Sequence, residues 1–263
     1  MRSFLSSYYY SKDGKFDFNL LLNIGQFPSP RYSDIRSFTY IDGAKNWINN
    51  QKKFFTKEKI FFLKTHNSME EYFGYRFTKS SETLGAIYIV RDPRNVISSM
   101  CNHYSMNFNE AYNKMIDQNA SLSRKKTDDD ITHFSFLGSW SNHYRSWKNN
   151  FEFKTLIIKY EDLEKDAYNE FWKILTFIEE LTDKKDPINK KKFENSLIST
   201  NFSSLKQKEK LHGFKESLSY KNNNKTNFFN LGFENKWQKI LPEEISRKIK
   251  DKFFDELEEL KYE

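Results

Sequence analysis

Short apolar runs rich in β-branched residues alternate along the chain with longer stretches of helical periodicity. The clearest run is residues 86–90, AIYIV, which ends at Arg91 and is followed by the turn-forming pair Asp92-Pro93. Over residues 96–100 apolar side chains recur at the spacing of one helix face. The pattern predicts a strand, a tight turn and a helix.

Two more apolar runs, residues 59–66 (KIFFLKTH) and 155–162 (TLIIKYED), predict further buried strands. The alternation of such runs with helical patterns predicts an α/β fold with a parallel sheet flanked by helices. Neither a repeat nor a linker is evident, so we expect one domain over residues 1–263. The predicted helices cover approximately residues 2–12, 43–53, 94–106, 109–120, 138–149, 161–180, 190–212 with a break, and 242–259.

Polar side chains stand where each of the three apolar runs ends. Arg91 follows the first, Lys64 and His66 end the second, and Tyr160 ends the third. The carboxyl ends of parallel strands meet at one edge of the sheet, which is where ligands bind in such folds. We therefore expect these side chains to converge on a ligand.

Arg91 has two interpretations on its local pattern. It could merely pair with Asp92 or cap a loop. Alternatively, its planar fork of donors suits phosphate, and Ser99, about two helical turns further on, adds a hydroxyl. The convergence of three strand ends favours phosphate.

In their order along the chain, these motifs resemble the PAPS-dependent sulfotransferases of the cytosolic type. That family moves a sulfuryl group from 3′-phosphoadenosine 5′-phosphosulfate (PAPS) to an acceptor. Residues 64–66 (KTH) resemble its catalytic strand end, and residues 88–99 (YIVRDPRNVISS) its 3′-phosphate motif. Residues 138–147 (GSWSNHYRSW) and 156–163 (LIIKYEDL) resemble the helix and strand that come next. The resemblance implies a P-loop-NTPase-like parallel sheet, PAPS as donor and no metal.

The resemblance also implies roles for individual residues. His66 would be the general base and Lys64 would stabilise charge on the transferred group, because such transfers depend on positioning, electrostatics and removal of the acceptor proton. From KTH alone, a histidine that only hydrogen-bonds a turn is favoured; the ordered motifs reverse this preference. The residues implied to bind the nucleotide are Arg91, Ser99, Tyr160, Thr200, Phe202, Phe228 and Gly232. For Tyr160 and Phe202 a role in the core is an equally strong interpretation.

Two departures from the family pattern bear on activity. The sequence has no loop of the type Pro-Lys-Ser-Gly-Thr-Thr-Trp, which in the family cradles the 5′-phosphosulfate, and residues 1–5 resemble the helix that follows it. We therefore expect the first strand and the donor loop to be missing and the chain to be a poor enzyme. In addition, Asn230 and Leu231 stand where the family has Arg and Lys, although Gly232 remains. An inactive or fragmentary homologue with partial nucleotide binding thus stays open.

Composition leaves a second alternative. The chain carries a net charge of +7, an isoelectric point near 9.1 and 17% aromatic residues, which suits a basic RNA-binding protein. The Lys and Arg residues are spread widely, however, which favours a solvated surface that attracts an anionic donor. We therefore expect no nucleic-acid partner. A nucleotide kinase is the other enzymatic alternative and would need the same missing loop.

The remaining predictions concern compartment, acceptor and loops. Cys101 is the only cysteine, which excludes an internal disulfide and a Cys-based zinc site and fits a reducing compartment. No apolar run approaches the 18 residues of a membrane span, so we expect a cytoplasmic protein.

The acceptor would be a hydroxyl or amine on a small molecule, glycan or lipid. The sequence decides neither the identity of the acceptor nor the oligomeric state. His143 is expected to be structural. Three long loops are predicted: an acceptor-lining connection at residues 13–40, an exposed mobile loop at 121–133 and a nucleotide flap at 214–229.

Overall fold

The structure is a computed structural model that describes residues 1–34, 39–55, 60–127, 130–183, 187–214 and 227–262. Within these ranges short 3₁₀ turns occur at Phe18–Asn23, Pro30–Tyr32 and Gly232–Glu234. The α-helices are α1 (Arg2–Tyr10), α2 (Tyr40–Lys45), α3 (Trp47–Phe54), α4 (Pro93–Tyr104), α5 (Phe108–Ile116), α6 (Trp140–Lys148), α7 (Tyr160–Lys165), α8 (Ala167–Thr182), α9 (Lys190–Ser199), α10 (Phe202–His212), α11 (Trp237–Ile240), α12 (Glu243–Lys252) and α13 (Phe254–Glu259).

The strands of the described residues form three pairs. They are β1 (Gly25–Gln26), β2 (Leu63–Lys64), β3 (Gly85–Val90), β4 (Ser121–Thr127), β5 (Asp130–Phe136) and β6 (Lys154–Lys159). β3 runs parallel to β6 from the pair Gly85 and Lys154 to the pair Val90 and Lys159, and β1 runs parallel to β2. The predicted class, α/β with parallel strands flanked by helices, is confirmed.

Alternate residues of β3 and β6 pack to opposite faces, as a strand requires. Ile87 and Ile158 pack on one side in a cluster built mainly with α1, α8 and α9. On the other side Val90 and Ile157 pack with Tyr144 of α6 and with the C-terminal residues. Helices therefore cover both faces of the parallel pair, which explains the continuous apolar runs at residues 86–90 and 156–158 within its strands.

The prediction of a continuous strand over residues 59–66 is wrong for most of that run. Within the described part, residues 60–62 lie outside any strand, and only Leu63–Lys64 pair, with Gly25–Gln26. The backbone N–H of Phe27 adds one bond to the Lys64 carbonyl oxygen at 2.8 Å. The pairing of β1 with β2 is therefore limited to this short segment.

The prediction of a mobile loop over residues 121–133 is also wrong, because β4 and β5 form an antiparallel hairpin with register shifts near Lys125. The hairpin is anchored by Phe134 and Phe136, which alternate along β5 and are both buried. Phe134 stacks on Trp47 with 5.7 Å between ring centroids. The charged residues of the segment 121–133 favoured a loop, and the alternating Phe134 and Phe136 come only after it.

Four of the helices predicted from periodicity are pairs of shorter ones, and the first, predicted at residues 43–53, is divided between α2 and α3 at Asn46. α7 gives way to α8 at Asp166, whose carboxylate accepts the N–H of Asn169 at 3.1 Å. α9 ends before Asn201, whose side chain caps α10 by accepting the N–H of Ser204, and this break was predicted. α12 and α13 meet at Phe253. The caps at Asp166 and Asn201 start new helices by accepting backbone N–H groups of the first turn, whereas α13 begins without a side-chain cap.

A further cluster joins α4 and α5 to the C-terminal helices. Ile97 of α4, Ile249 of α12 and Leu257 of α13 are fully buried in it. α4 is thereby fixed on one side by α12 and α13, while its other sides remain available for the site described next. Among the described residues, no helix is long and apolar enough to cross a membrane.

Candidate functional site

The turn between β3 and α4 is built around a buried ion pair. Asp92 caps α4 by accepting the N–H of Arg94 at 2.8 Å, and Pro93 occupies the first helical turn. The Arg94 guanidinium folds back onto the same carboxylate, with Nε at 3.0 Å and Nη2 at 2.9 Å from its two oxygens. It also donates to the carbonyl oxygen of Tyr262 and lies 4.3 Å from the Trp237 ring centroid. The hydrogen-bonding capacity of Asp92 is therefore taken up by Arg94.

Arg91 is in a different situation at the same strand end. Its guanidinium carbon lies 4.3 Å from the centroid of the Tyr160 ring, and Nη1 approaches Ser99 Oγ at 3.5 Å. Its Nε is buried and has no hydrogen-bond partner among the described residues. The structure therefore brings Arg91, Ser99 and Tyr160 together, as the sequence analysis predicted. A buried donor without a partner costs stability.

Asn235, which the sequence analysis missed, holds the hydroxyls of α4 in place. Its side-chain oxygen accepts from Ser98 Oγ at 2.6 Å, and its amide nitrogen donates to Ser99 Oγ at 2.9 Å and to the Asn95 carbonyl oxygen at 3.1 Å. Ser99 Oγ in turn lies 3.3 Å from that carbonyl oxygen. The loop after residue 227 is thus connected directly to the Arg91 cluster. No local sequence pattern predicts the contact of Asn235 with Ser98 and Ser99, because these residues are far apart in the chain.

Carboxylates surround the same cluster. Glu161 bridges the strand ends by accepting the N–H of Asp92 at 3.2 Å and the hydroxyl of Tyr262 at 2.8 Å. Burial raises the pKa of Glu164, with the positive charge of Arg91 opposing that shift. Burial also raises the pKa of Tyr160 to about 12, so its hydroxyl stays protonated at neutral pH. One carboxylate oxygen of Glu164 is buried without a hydrogen-bond partner in the described part of the chain.

The loop that carries Gly232 packs on α10. Gly232 has φ of +54°, and a Cβ there would lie 2.5 Å from the Phe202 ring, so both the conformation and the close approach require glycine. The buried carboxylate of Glu209 accepts the N–H groups of Phe228 and Phe229 at 2.7 and 2.9 Å. Gly232 therefore packs on Phe202, and Phe228 is joined to the same helix through Glu209.

Thr200 and the predicted flap have different outcomes. The Thr200 hydroxyl donates to the Ser196 carbonyl oxygen at 2.6 Å at the end of α9, which gives it a structural role in this state of the protein. Lys206 Nζ donates to the Asn230 carbonyl oxygen at 3.0 Å, next to the Phe202 ring. Most of the predicted flap, residues 215–226, lies outside the described residues.

Lys64 and His66 lie on the other side of α4, along a cavity of about 1000 Å³. The cavity wall includes the carboxyl-end residues Lys64, Thr65 and His66, and the α4 residues Val96, Met100 and Tyr104. Lys64 is close enough to His103 to depress the pKa of that imidazole, with burial as the larger cause. The two residues predicted to act on the reacting group therefore share one cavity.

The predicted residues accordingly form three groups arranged around α4. Arg91, Ser99 and Tyr160 lie at its N-terminal half, the Gly232 loop is joined to it through Asn235, and His66 with Lys64 faces the cavity. The same helix therefore contributes to both the Arg91 cluster and the cavity. No group of three or more His, Cys, Asp or Glu side chains in the described ranges is arranged to hold a metal ion.

Comparisons with known proteins point to one family. A family model described as "Sulfotransferase domain" matches residues 24–261. Among solved structures, the chain is similar to mouse sulfotransferase SULT7A1 complexed with PAP, with 20% sequence identity and a TM-score of 0.45. That alignment covers 74% of this chain and 64% of the mouse chain, which is less than two thirds of the mouse protein's length. No curated protein matches.

Proposed function

The chain belongs to the sulfotransferase domain family, and we propose that it binds PAPS and transfers its sulfuryl group to a hydroxyl or amine acceptor. The observation that carries the proposal is the position of Arg91 at the end of β3, where its guanidinium stacks on Tyr160 and its Nη1 lies 3.5 Å from Ser99 Oγ. The planar fork of a guanidinium matches a phosphate that accepts two bonds at once.

The 3′-phosphate is proposed to bind at Arg91 and Ser99. Arg91 supplies the fork of donors, and Ser99 Oγ, already held by Asn235, supplies a hydroxyl 3.5 Å from the guanidinium. Arg94, three residues later, is less suited to this role because Asp92 and the Tyr262 carbonyl oxygen bind its Nε and Nη2. The adenine is proposed to lie near Phe202 and Phe228, because aromatic faces stack on purines. In this proposal the Gly232 backbone borders the nucleotide, and Thr200 contributes only if its bond to Ser196 is exchanged.

His66 is proposed to act as the general base and Lys64 as the electrostatic partner. The acceptor O–H or N–H gives its proton to His66 while the acceptor atom forms a bond to sulfur. The bond between sulfur and the oxygen it shares with the 5′-phosphate breaks, and adenosine 3′,5′-bisphosphate leaves with that electron pair. Lys64 stabilises the negative charge on the sulfuryl and bridging oxygens. The shared cavity position of both residues supports this assignment.

A second function, nucleotide binding without efficient turnover, is favoured by one feature of the sequence. The 263 residues contain no Lys-Ser-Gly-type loop, so the cradle for the 5′-phosphosulfate has no counterpart among them. Arg91 and Ser99 would still bind the 3′-phosphate. The two functions therefore differ in transfer, not in recognition of the 3′ end.

Calorimetry followed by a transfer assay separates these possibilities. We expect adenosine 3′,5′-bisphosphate to bind more tightly than adenosine 5′-phosphate, which lacks the 3′-phosphate. Transfer of ³⁵S-labelled sulfate from PAPS to a panel of phenols, alcohols and amines then tests catalysis. Binding without transfer would support the second function. Equal affinity for the two nucleotides would refute the 3′-phosphate site and both functions built on it.

A further inference from the structure

The segment that carries His66 has no regular secondary structure, yet its backbone is held at three successive points by α6. His143 Nε2 lies 3.1 Å from the His66 carbonyl oxygen, and Trp147 Nε1 donates to the Asn67 carbonyl oxygen at 2.9 Å. The N–H of Met69 donates to Ser146 Oγ at 3.0 Å. A helix is a rigid support, so these bonds fix residues 66–69 more firmly than a free loop would be fixed.

The bond to His66 itself depends on a second buried contact. Tyr88 of β3 places its hydroxyl 2.9 Å from Nδ1 of His143. A carbonyl oxygen only accepts hydrogen bonds, so Nε2 of His143 must carry the proton that faces His66. In a neutral imidazole Nδ1 then accepts, and the Tyr88 hydroxyl donates to it. The His66 carbonyl oxygen thus fixes the tautomer of His143, and the Tyr88 hydroxyl stabilises it by donating to Nδ1.

The environment keeps both groups in the required protonation state. Burial lowers the pKa of His143, opposed in part by its bond to the His66 backbone. Burial also raises the pKa of Tyr88. At neutral pH the imidazole is therefore neutral and the phenol protonated, so the direction of both hydrogen bonds is maintained.

We propose that His143, held in one tautomer by Tyr88, is a positioning residue that sets where the His66 imidazole stands in the cavity. This inference rests on the proposed role of His66 as general base. Both His143 and Tyr88 also line the cavity, so the chain of contacts runs from β3 through α6 to the predicted base. A base displaced by about 1 Å loses on the order of 10²-fold in rate, which makes such support worth testing.

A buried tyrosine on α6 provides a matched control. The Tyr144 hydroxyl donates to Glu259 at 2.6 Å, and Tyr144 is 1% exposed, but the bond points away from His66. Tyr144→Phe removes one tyrosine hydrogen bond outside the proposed chain of contacts and keeps the ring, whose centroid lies 6.1 Å from that of Tyr88. Tyr88→Phe removes a comparable bond within that chain of contacts.

Kinetics and nucleotide binding are compared in Tyr88→Phe, Tyr144→Phe, His143→Ala and His143→Gln. The glutamine places an N–H close to the position of Nε2, so it is the conservative variant. We expect Tyr88→Phe and His143→Ala to lower kcat about 10- to 10²-fold with unchanged affinity for adenosine 3′,5′-bisphosphate. His143→Gln should recover part of the loss, and Tyr144→Phe should change only the thermal midpoint. If Tyr88→Phe and Tyr144→Phe had equal effects on kcat, the inference would be overturned.

Nuclear magnetic resonance of the imidazole nitrogens tests the inference even if no acceptor is turned over. The wild-type spectrum should show His143 with its proton on Nε2. The ring signals of His66 should move in Tyr88→Phe and His143→Ala and stay in place in Tyr144→Phe. A proton on Nδ1 of His143, or unchanged His66 signals in the first two variants, would refute positioning. Normal spectra without any PAPS turnover would instead count against the proposed function alone.

Discussion

Replacing Arg91 by lysine should weaken binding of adenosine 3′,5′-bisphosphate without weakening the free protein. Lysine keeps the positive charge but loses the planar fork, and with it one of two parallel bonds to a phosphate. A hydrogen bond between charged groups contributes about 1.5–3 kcal/mol, and 1.4 kcal/mol corresponds to tenfold in affinity. We therefore expect about a 10- to 10²-fold rise in the dissociation constant.

The stability of the free protein, in contrast to its nucleotide affinity, should not fall in Arg91→Lys. Arg91 Nε is buried and has no partner among the described residues, and its only direct bond to Ser99 is long, at 3.5 Å. A buried unsatisfied donor costs about 1–3 kcal/mol, which lysine does not incur at that position. This offsets the loss of stacking on Tyr160, worth about 0.5–2 kcal/mol. The thermal midpoint should therefore stay the same or rise.

Arg94 provides the matched control, since it also stacks on an aromatic ring at 4.3 Å, that of Trp237. The side chains of Arg94 and Asp92 are each only 5% exposed and form a two-pronged pair. Breaking a buried pair costs about 3–5 kcal/mol, and lysine retains a single contact, so Arg94→Lys should lose stability. Its specific discrimination of the 3′-phosphate should remain.

Calorimetry with adenosine 3′,5′-bisphosphate and adenosine 5′-phosphate measures the nucleotide preference of Arg91→Lys and Arg94→Lys, and thermal unfolding measures the midpoint of each. We expect Arg91→Lys to lose the preference for the 3′-phosphorylated nucleotide and Arg94→Lys to unfold at a lower temperature. The assignment of the 3′-phosphate to Arg91 would be refuted if Arg91→Lys kept that preference, or if both nucleotides lost affinity equally. A lower midpoint for Arg91→Lys would show that Arg91 serves the fold.

Three further substitutions test the other parts of the site. His66→Ala should lower kcat by about 10²–10⁴-fold with unchanged nucleotide affinity, and turnover with simultaneous calorimetry checks this. Asn235→Ala removes hydrogen bonds to Ser98 and Ser99, so its free energy of unfolding in urea should fall by about 1–3 kcal/mol. Its nucleotide affinity should fall as well, and an intact affinity would contradict the link between the loop and α4. Because burial raises the pKa of Glu164, wild-type stability falls as pH rises from 4.5 through its folded pKa. Glu164→Gln should therefore gain stability and nucleotide affinity at neutral pH, with the stability gain absent near about pH 4; a gain independent of pH would contradict it.

The parts of the fold that could be predicted are those with a strong local period. The run ending at Arg91 and the helix after it follow their pattern closely, with α4 observed at Pro93–Tyr104. The segment 59–66 has an equally apolar sequence but forms only Leu63–Lys64 as strand. Strand formation depends on a partner as well as on the run itself, and a single run contains no information about its partner.

The hairpin at residues 121–136 shows the opposite error. Charge runs dominate its middle, while the residues that anchor it, Phe134 and Phe136, lie in its last three positions. Backbone pairing does not require apolar side chains throughout, provided that alternate residues at one end are buried. A window centred on the charges therefore favours a loop.

The ion pairing of the candidate site could not be chosen from the sequence. Both Arg91 and Arg94 are near Asp92, and the sequence analysis considered a pair with Arg91. The helix start decides otherwise, because the cap that binds the N–H of Arg94 also brings its side chain back to the same carboxylate. Asn235 had no signal at all, since its partners on α4 are more than 130 residues away. Such contacts arise only once the chain has folded.

The placement of α4 explains why nucleotide and acceptor effects should separate in the variants above. Val96, Met100 and Tyr104, four residues apart, face the cavity with His66. Asn95, Ser98 and Ser99, on an adjoining side of the same helix, hold Asn235 and approach Arg91. In the proposed function, one rigid helix carries side chains toward both the 3′-phosphate and the acceptor, and so holds the two sites at a fixed distance. We therefore expect a change at Arg91 to alter nucleotide binding, and a change at His66 or its supports to alter turnover after binding.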